Sequence, residues 1–118
     1  MSGFEHLFRD DQTWFKNDLG SEVTRFHTDG AQLTVVHGRK GDVVPAHGYS
    51  RGSVTYVVTG SLEIDGKVLR AGDAGIYRTG GYFAVRFLED STYVVARVSD
   101  DELTLPDIGE RAAHNLDA

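Results

Sequence analysis

The feature that most constrains the fold is a series of short β-branched and aromatic segments between residues 22 and 98, most of them closed by a glycine. Segments of this length and composition are typical of β-strands. They predict strands over residues 22–28, 32–37, 43–48, 53–59, 62–64, 74–79, 82–88 and 92–98. Asp29-Gly30 and Asp65-Gly66 fit two-residue hairpin turns, which accept positive φ and join antiparallel strands. The sequence therefore predicts an all-β domain.

The two ends of the chain lack this pattern. Residues 1–20 mix aromatic and charged side chains without a clean period, which predicts an N-terminal arm packed over the domain, with a turn of helix around residues 11–15. Residues 21–99 form the predicted barrel. Residues 100–118 are predicted to be a C-terminal tail, in which Asp107 caps a short helix ending near His114.

Composition excludes several classes of function. A chain of 118 residues holds material for one hydrophobic core, and its net charge of -6 argues against a nucleic-acid partner. The sequence has no cysteine, which removes thiolate metal ligands and a cysteine nucleophile and predicts a cytoplasmic protein. No apolar run is long enough to span a membrane. The outward positions Tyr56 and Val58 suit a homodimer, whereas a covering arm suits a monomer.

Two local motifs resemble those of the cupin superfamily. Gly41, followed after five residues by His47 and then by Tyr56-Val57-Val58-Thr59-Gly60, resembles the first cupin motif, and Leu69-Arg70-Ala71-Gly72-Asp73 resembles the start of the second. The resemblance covers residues 33–98. It implies a cupin double-stranded β-helix, a small antiparallel barrel of two sheets around a pocket that in most members holds iron, manganese, nickel or zinc.

The family's metal-ligand positions are altered in this chain. Where metal-binding cupins have histidines and a carboxylate, the resemblance aligns His47, Tyr49, Ser53 and Phe83. Neutral hydroxyls do not replace imidazole and carboxylate ligands, so no metal and no other cofactor is predicted. If His47 points inward, Phe83, Val85 and Phe87 also point inward and make that wall apolar. The alternative is an irregular metal site that recruits His37 or His27.

The remaining polar groups suggest acid-base chemistry. His47 beside Tyr49 pairs a group that titrates near neutrality with one that can donate or orient, and these two are the first catalytic candidates. Ser53 and Thr55 share the inward parity of their strand. The residues predicted to bind substrate are His37, Ser53, Thr55, Arg78, Tyr82 and Arg86.

Lys16 is the third catalytic candidate. The chain resembles small metal-free cupin dehydratases of nucleoside-antibiotic pathways in its length, in a Phe-Lys element before the barrel and in the Tyr-Val-Val-Thr-Gly run. In those enzymes an arm lysine and a histidine directly after the motif glycine carry the elimination. Here Asp42 follows Gly41, so the resemblance transfers a role only to Lys16, with His47 as a substitute base.

These observations lead to a principal hypothesis and two alternatives. The principal one is a metal-independent cupin enzyme that performs proton-transfer chemistry on a small oxygenated metabolite such as a sugar, a nucleoside or a polyketide. The reaction would be a dehydration, an isomerisation or a cyclisation. The alternatives are a metal-dependent dioxygenase that uses His47 with His37, and a cupin that binds a small molecule without catalysis.

Overall fold

Two antiparallel sheets make up the fold. The computed structural model describes residues 3–17 and 19–99 and the backbone of 103–104. After a 3-10 turn at Arg9–Asp11, the strands are β1 (Phe15–Lys16), β2 (Glu22–His27), β3 (Gln32–Gly38), β4 (Val43–Tyr49), β5 (Ser53–Thr59), β6 (Ser61–Ile64), β7 (Lys67–Arg70), β8 (Ala74–Tyr77), β9 (Phe83–Phe87), β10 (Ser91–Arg97) and β11 (Leu103–Thr104). The larger sheet has the order β1-β2-β3-β10-β5-β8 and the smaller one β11-β4-β9-β6-β7. The all-β prediction is confirmed.

Three local predictions need correction. The helical turn predicted at residues 11–15 is displaced, because a 3-10 turn lies earlier, at Arg9–Asp11, and Phe15 begins β1, which pairs with β2 as an edge strand. Strand β7 was not predicted, since its four residues begin with Lys67 and end with Arg70. Asp65 and Gly66 have the expected positive φ, whereas the turn at Asp29-Gly30 closes without a positive φ at either residue. The helix predicted after Asp107 lies outside the described residues.

Alternation along the strands separates an inner face from an outer face. On β5, Ser53, Thr55 and Val57 are buried, while the residues between them are exposed. On β9, Phe83, Val85 and Phe87 are buried, as predicted from parity. The core residues of both sheets therefore face each other and close the barrel.

The inner face of the larger sheet changes character from one end of the barrel to the other. Val23, Val36, Tyr93 and Val57 lie side by side in one row across four strands. Two residues further along each strand, the next row is Arg25, Thr34, Val95 and Thr55. Beyond it, Gln32 lies opposite Arg97, and Ser53 lies opposite Tyr77. We call the first row the apolar end and the other two rows the polar end.

A close approach seals the apolar end. Gly38 continues the inward parity of Thr34 and Val36, and a Cβ atom there would overlap the Phe87 ring. Glycine leaves space for that ring to contact the backbone of β3. The Phe87 ring therefore packs directly against β3 at the apolar end.

The outer face of the larger sheet is also divided. One row of outward side chains is polar and consists of Lys16, Glu22, His37, Thr92 and Thr59. Another outward row, separated from the polar one by the row of Val35, Val94 and Tyr56, is apolar and consists of Leu33, Ala96, Val54 and Ile76. Trp14 of the arm stacks on His37, with ring centroids 4.1 Å apart. The arm therefore covers part of this face, as predicted, although Phe4 and Phe8 stay largely exposed.

Candidate active site

His47 points into the barrel because of an irregularity in β4. Val44 lies opposite Val85 and His47 lies opposite Phe83. An advance of three residues along β4 therefore corresponds to an advance of two residues along β9. Such a bulge reverses the alternation, which is why Val44 and His47 both face inward although they are an odd number of residues apart. Pro45 sits at the break, where its missing N–H costs no ladder hydrogen bond.

The same bulge fixes the tautomer of His47. The imidazole Nδ1 lies 2.7 Å from the carbonyl oxygen of Pro45. A carbonyl oxygen can only accept a hydrogen bond, so Nδ1 carries the proton and donates it. In the neutral ring, Nε2 therefore holds a lone pair and can act as a base.

The surroundings keep this imidazole neutral. His47 is only 3% exposed. Burial lowers the pKa of His47 below its ordinary value of 6.5; the hydrogen bond to Pro45 raises it in part, and the charge of Arg97 lowers it further. Because the net direction is downward, the ring is an uncharged base at neutral pH.

Aromatic rings surround His47. Its centroid lies 4.4 Å from that of Phe83 and 5.6 Å from that of Tyr49, which meets it edge-on. Tyr77 stacks on Phe83 at 3.6 Å. Burial raises the pKa of the Tyr77 hydroxyl, so this phenol stays protonated. His47 and Tyr49 are thus brought together as the sequence predicts.

Three buried hydroxyls line the polar end. Thr34, Ser53 and Thr55 are each less than a tenth exposed. Within the described part of the chain, the hydroxyl oxygens of these three residues have no hydrogen-bond partner. Most buried polar atoms in proteins are satisfied, so a cluster of unsatisfied ones calls for a water or ligand oxygen. The predicted inward positions of Ser53 and Thr55 are confirmed, and Thr34 joins them.

Arg97 was missed by the sequence reasoning. Its guanidinium carbon lies 4.5 Å from the centroid of the Tyr49 ring. With the Gln32 amide turned to satisfy its neighbours, Gln32 Oε1 accepts hydrogen bonds from Arg97 Nη2 at 2.8 Å and from Arg25 Nε at 2.9 Å. The alternation along β10 could have identified this residue. Tyr93 and Val95 are buried, and Arg97 continues the same inward-facing series of every second residue.

Three predicted site residues lie elsewhere. Lys16 and His37 belong to the polar outer row, where His37 Nδ1 lies 3.6 Å from Glu22 Oε1, and both line an external pocket of about 680 Å³. Arg86 faces outward and pairs with Glu63 at 2.6 Å. Parity explains these positions, because His37 follows the inward Val36 and Arg86 lies between the inward Val85 and Phe87. None of the three is grouped with His47.

The other two predicted substrate-binding residues lie near the polar end. Residues 78–82 connect β8 to β9, and so they join Tyr77 to Phe83. Arg78 and Tyr82 are exposed in this connection. They can contact a ligand only at the edge of the site.

The donor set does not fit the metal of the fold family. The aligned positions hold one imidazole, two hydroxyls and the Phe83 ring, and that ring contacts the imidazole. His47 Nδ1 is already engaged by Pro45. Across the described residues, no group of three or more histidine, aspartate or glutamate side chains is arranged to hold a metal ion. His37, the proposed additional ligand, points to the other side of its sheet.

Comparison with solved structures gives the class of fold. No protein-family model matches the sequence, and no curated protein matches it. An RmlC-like cupin from Shewanella frigidimarina is 18% identical, with a TM-score of 0.71, over 83% of this chain and 91% of that one. The chain therefore has the cupin double-stranded β-helix fold, and the predicted fold is confirmed.

Two individually named proteins are among the similar structures. KdgF from Halomonas sp. is 24% identical, with a TM-score of 0.69, over 80% of this chain and 94% of that one. The polyketide cyclase RemF from Streptomyces resistomycificus is 14% identical, with a TM-score of 0.72, over 91% and 88%. These identities support the fold alone.

Proteins of different function share this fold. An acetylacetone dioxygenase from Acinetobacter johnsonii is 13% identical, with a TM-score of 0.73, over 96% of this chain and 84% of that one. A chain in the structure of Rhodobacter sphaeroides SigE with the anti-sigma ChrR is 22% identical, with a TM-score of 0.67, over 75% of this chain and only 51% of its own length. The fold thus leaves the function to be argued from the site. In the described ranges, no helix has the length and apolarity needed to cross a bilayer.

Proposed function

We propose that this protein is a metal-independent cupin enzyme that transfers protons on a small oxygenated metabolite. The observation that carries the proposal is the His47 imidazole, which is buried, neutral and oriented by Pro45 so that Nε2 is the basic nitrogen. Three hydroxyls without partners among the described residues lie at the same end of the barrel. A buried neutral base at the same end of the barrel as unpartnered hydroxyls is suited to proton abstraction next to a carbonyl group.

The first step follows from these groups. His47 Nε2 takes a proton from the carbon next to the substrate carbonyl, and the electron pair of the broken C–H bond moves into an enolate. The developing negative charge on oxygen accepts hydrogen bonds from the hydroxyls of Ser53 and Thr55. Hydroxyl groups that have no acceptor in the described part of the protein can donate to it, so little reorganisation accompanies this stabilisation.

The fate of the proton decides the reaction. If the imidazolium returns it to a hydroxyl group on the next carbon, the C–O bond breaks and water leaves, which is a dehydration. If it returns the proton to a different carbon, the product is an isomer. Tyr49, buried at the edge of the imidazole, orients the ring or the substrate in either case. Lys16 has no part in this scheme because it lies on the outer face.

Access to His47 requires a side chain to move. The Phe83 ring contacts the His47 ring and Tyr77 stacks on Phe83, and of the three Tyr77 is the half-buried one. A substrate therefore reaches Nε2 after Tyr77 turns aside.

Solvent deuterium exchange tests the proposal even while the natural product is unidentified. A panel of 2-keto and 3-hydroxycarbonyl compounds is incubated with the protein in D2O, and NMR follows deuterium incorporation and loss of water. For any compound that reacts, we expect His47→Gln to lower the rate by about 10²- to 10⁴-fold. The matched control is His37→Gln, which removes an imidazole from the outer row and should keep the wild-type rate.

Three results would contradict the proposal. The first is a full rate in His47→Gln. The second is a rate that a chelator abolishes and a divalent metal restores, which would favour the dioxygenase alternative. The third is a pocket ligand that copurifies and is never converted, which would indicate a binding protein.

A further inference from the structure

The outer face of the larger sheet carries two adjoining rows of apolar side chains. The first row crosses β2, β3, β10, β5 and β8 and consists of Phe26, Leu33, Ala96, Val54 and Ile76. The second row crosses β3, β10, β5 and β8 and consists of Val35, Val94, Tyr56 and Ala74. We call these residues the outer hydrophobic patch. None of them is charged, although charged residues make up 25% of the chain.

The described parts of the chain leave this patch open to solvent. Ile76 is 68% exposed, Val54 48% and Tyr56 47%. The arm lies instead over the polar outer row, where Trp14 stacks on His37. Isolated exposed apolar residues are common on protein surfaces, whereas a contiguous group of them marks an interaction site.

The size of the outer face suits a protein partner. Neighbouring strands lie about 4.8 Å apart and advance about 3.4 Å per residue, so the outer face of β2, β3, β10, β5 and β8 measures about 24 by 20 Å, or about 500 Å². A specific protein–protein interface buries at least about 1,000 Å² in total, which is about 500 Å² from each partner. The patch would form the apolar centre of such an interface, and the polar outer row would form part of its rim.

The chemistry of the patch favours a second copy of this chain as the partner. An anionic membrane surface binds apolar faces that also carry lysine or arginine, and the patch contains neither. A basic partner protein would pair with carboxylates, and the patch contains none of these either. Two copies of this chain, each with a net charge of -6, bring no like charges together across the patch, because both surfaces are uncharged there. The face of one antiparallel sheet also packs well against the face of another.

The relief of the patch is complementary to itself. Tyr56 lies opposite Val94, and Val54 lies opposite Ala96, so the large Tyr56 and the small Ala96 occupy opposite corners of a group of four. In a two-fold dimer every contact from one copy to the other is matched by the reciprocal contact. A two-fold axis that runs between the sheets, close to the line from Val54 to Val94, places each Tyr56 ring over the Ala96 of the other copy. The same axis brings Val54 of one copy close to Val54 of the other.

We propose that the protein forms a two-fold homodimer in which the outer hydrophobic patches of two copies pack face to face. The Tyr56 rings fill the hollows over Ala96, and the two Val54 side chains meet near the axis. The sequence left both a monomer and a homodimer open, and this surface favours the homodimer. The inference does not rest on the proposed function, because the patch lies outside the barrel and His47 lies inside it.

Analytical ultracentrifugation of the full chain tests the homodimer. We expect the wild type to be a dimer at micromolar concentrations. Val54→Glu should raise its dissociation constant at least about 100-fold, because two unpaired carboxylates would meet in an apolar interface. The matched control is Val68→Glu, which makes the same change on the outer face of the smaller sheet, where Val68 is 44% exposed. This control should leave the dissociation constant unchanged.

Two further measurements test the arrangement of the copies. Val54→Lys should also be monomeric, and mixing it with Val54→Glu should restore the dimer, since opposite charges then meet near the axis. Ala96→Phe keeps the patch apolar but fills the hollow for Tyr56, so we expect dimerisation to weaken about tenfold. Non-specific adhesion would instead become stronger with the added ring. Thermal melts establish that each variant folds.

Several results would overturn the inference. These are a monomeric wild type, an unchanged dissociation constant in Val54→Glu, an equal loss in Val68→Glu, a mixture of the two charged Val54 variants that stays monomeric, and tighter association of Ala96→Phe. Binding of a monomeric wild type to phosphatidylserine vesicles, lost in Val54→Glu, would identify a membrane as the occupant of the patch instead.

Discussion

The molecule contains two histidines in opposite situations, one inside the barrel and one outside. His47 is buried and donates a hydrogen bond from Nδ1 to the Pro45 carbonyl oxygen, so it is a neutral base of fixed tautomer. His37 is partly exposed, lies 3.6 Å from Glu22 and is covered by Trp14. Burial in the first environment disfavours the imidazolium ion and lowers the pKa of His47.

The two histidines differ in environment and not in residue type, and the proposed function assigns the base to the buried one for that reason. An imidazole with a carboxylate on one side and an indole on its face connects the arm to the sheet. A buried imidazole whose Nδ1 donates to a carbonyl oxygen keeps a lone pair on Nε2, which can take a proton from a ligand. Three predictions test this contrast, from the largest expected effect to the smallest.

The pH dependence of activity should follow His47 and not His37. Because burial lowers the pKa of His47, the neutral base persists to lower pH than an ordinary histidine would allow. We expect kcat/KM to be constant near neutrality and to fall about tenfold per pH unit on the acid side, with its midpoint below 6.5. His37→Gln should leave this midpoint in place. A midpoint above 6.5, or one that moves with His37, would remove the basis for assigning the base to His47.

The buried hydroxyl of Thr55 is expected to lower the free energy of unfolding. Thr55→Val replaces an unsatisfied buried hydroxyl with a methyl group of similar shape, so we expect the free energy of unfolding to rise by about 1 kcal/mol. The control is Thr92→Val beside His37, where the hydroxyl is half-exposed and the change should stay within about 0.5 kcal/mol. Urea denaturation at pH 7 measures both variants. Destabilisation by Thr55→Val would show that this hydroxyl is satisfied within the fold.

The Trp14 stack should have the smallest effect. Trp14→Ala removes the indole from His37, and we expect a loss of about 0.5 kcal/mol, since a partly exposed aromatic contact contributes at the lower end of the usual range. Turnover should not change, because the stack lies on the outer face. Thermal denaturation and the deuterium-exchange rate provide the two measurements. A loss of activity at unchanged stability would place the arm in the site after all.

Much of the fold could be predicted because the strands carry strong local signals. The β5 and β9 segments alternate cleanly, so their inward residues were predicted correctly. Strand β7 was missed because Lys67 and Arg70 leave only two apolar residues between them. Strand β1 was missed because its two residues become a strand only through pairing with β2, which is a long-range event.

The candidate site could be predicted only in part. His47, Tyr49, Ser53 and Thr55 follow from one short stretch of chain and its parity. The side of the sheet on which His37 lies depended on the connection between β3 and β4. The sequence did not determine the geometry of that connection. Arg97 needed the pairing of β10 with β3, which brings together residues that are far apart in the chain. The roles of all these residues, and the cytoplasmic location, stay predictions.

The division of the barrel into an apolar and a polar end has a consequence for how such a protein can change. Residues that hold the sheets together, such as Val23, Val57 and Phe87, are distinct from those of the proposed site. Substitutions at Ser53 or Thr55 can then alter ligand preference while the packing of the opposite end keeps the chain folded. A barrel arranged in this way can acquire new chemistry by single steps, because selection for folding and selection for recognition act on different rows of side chains.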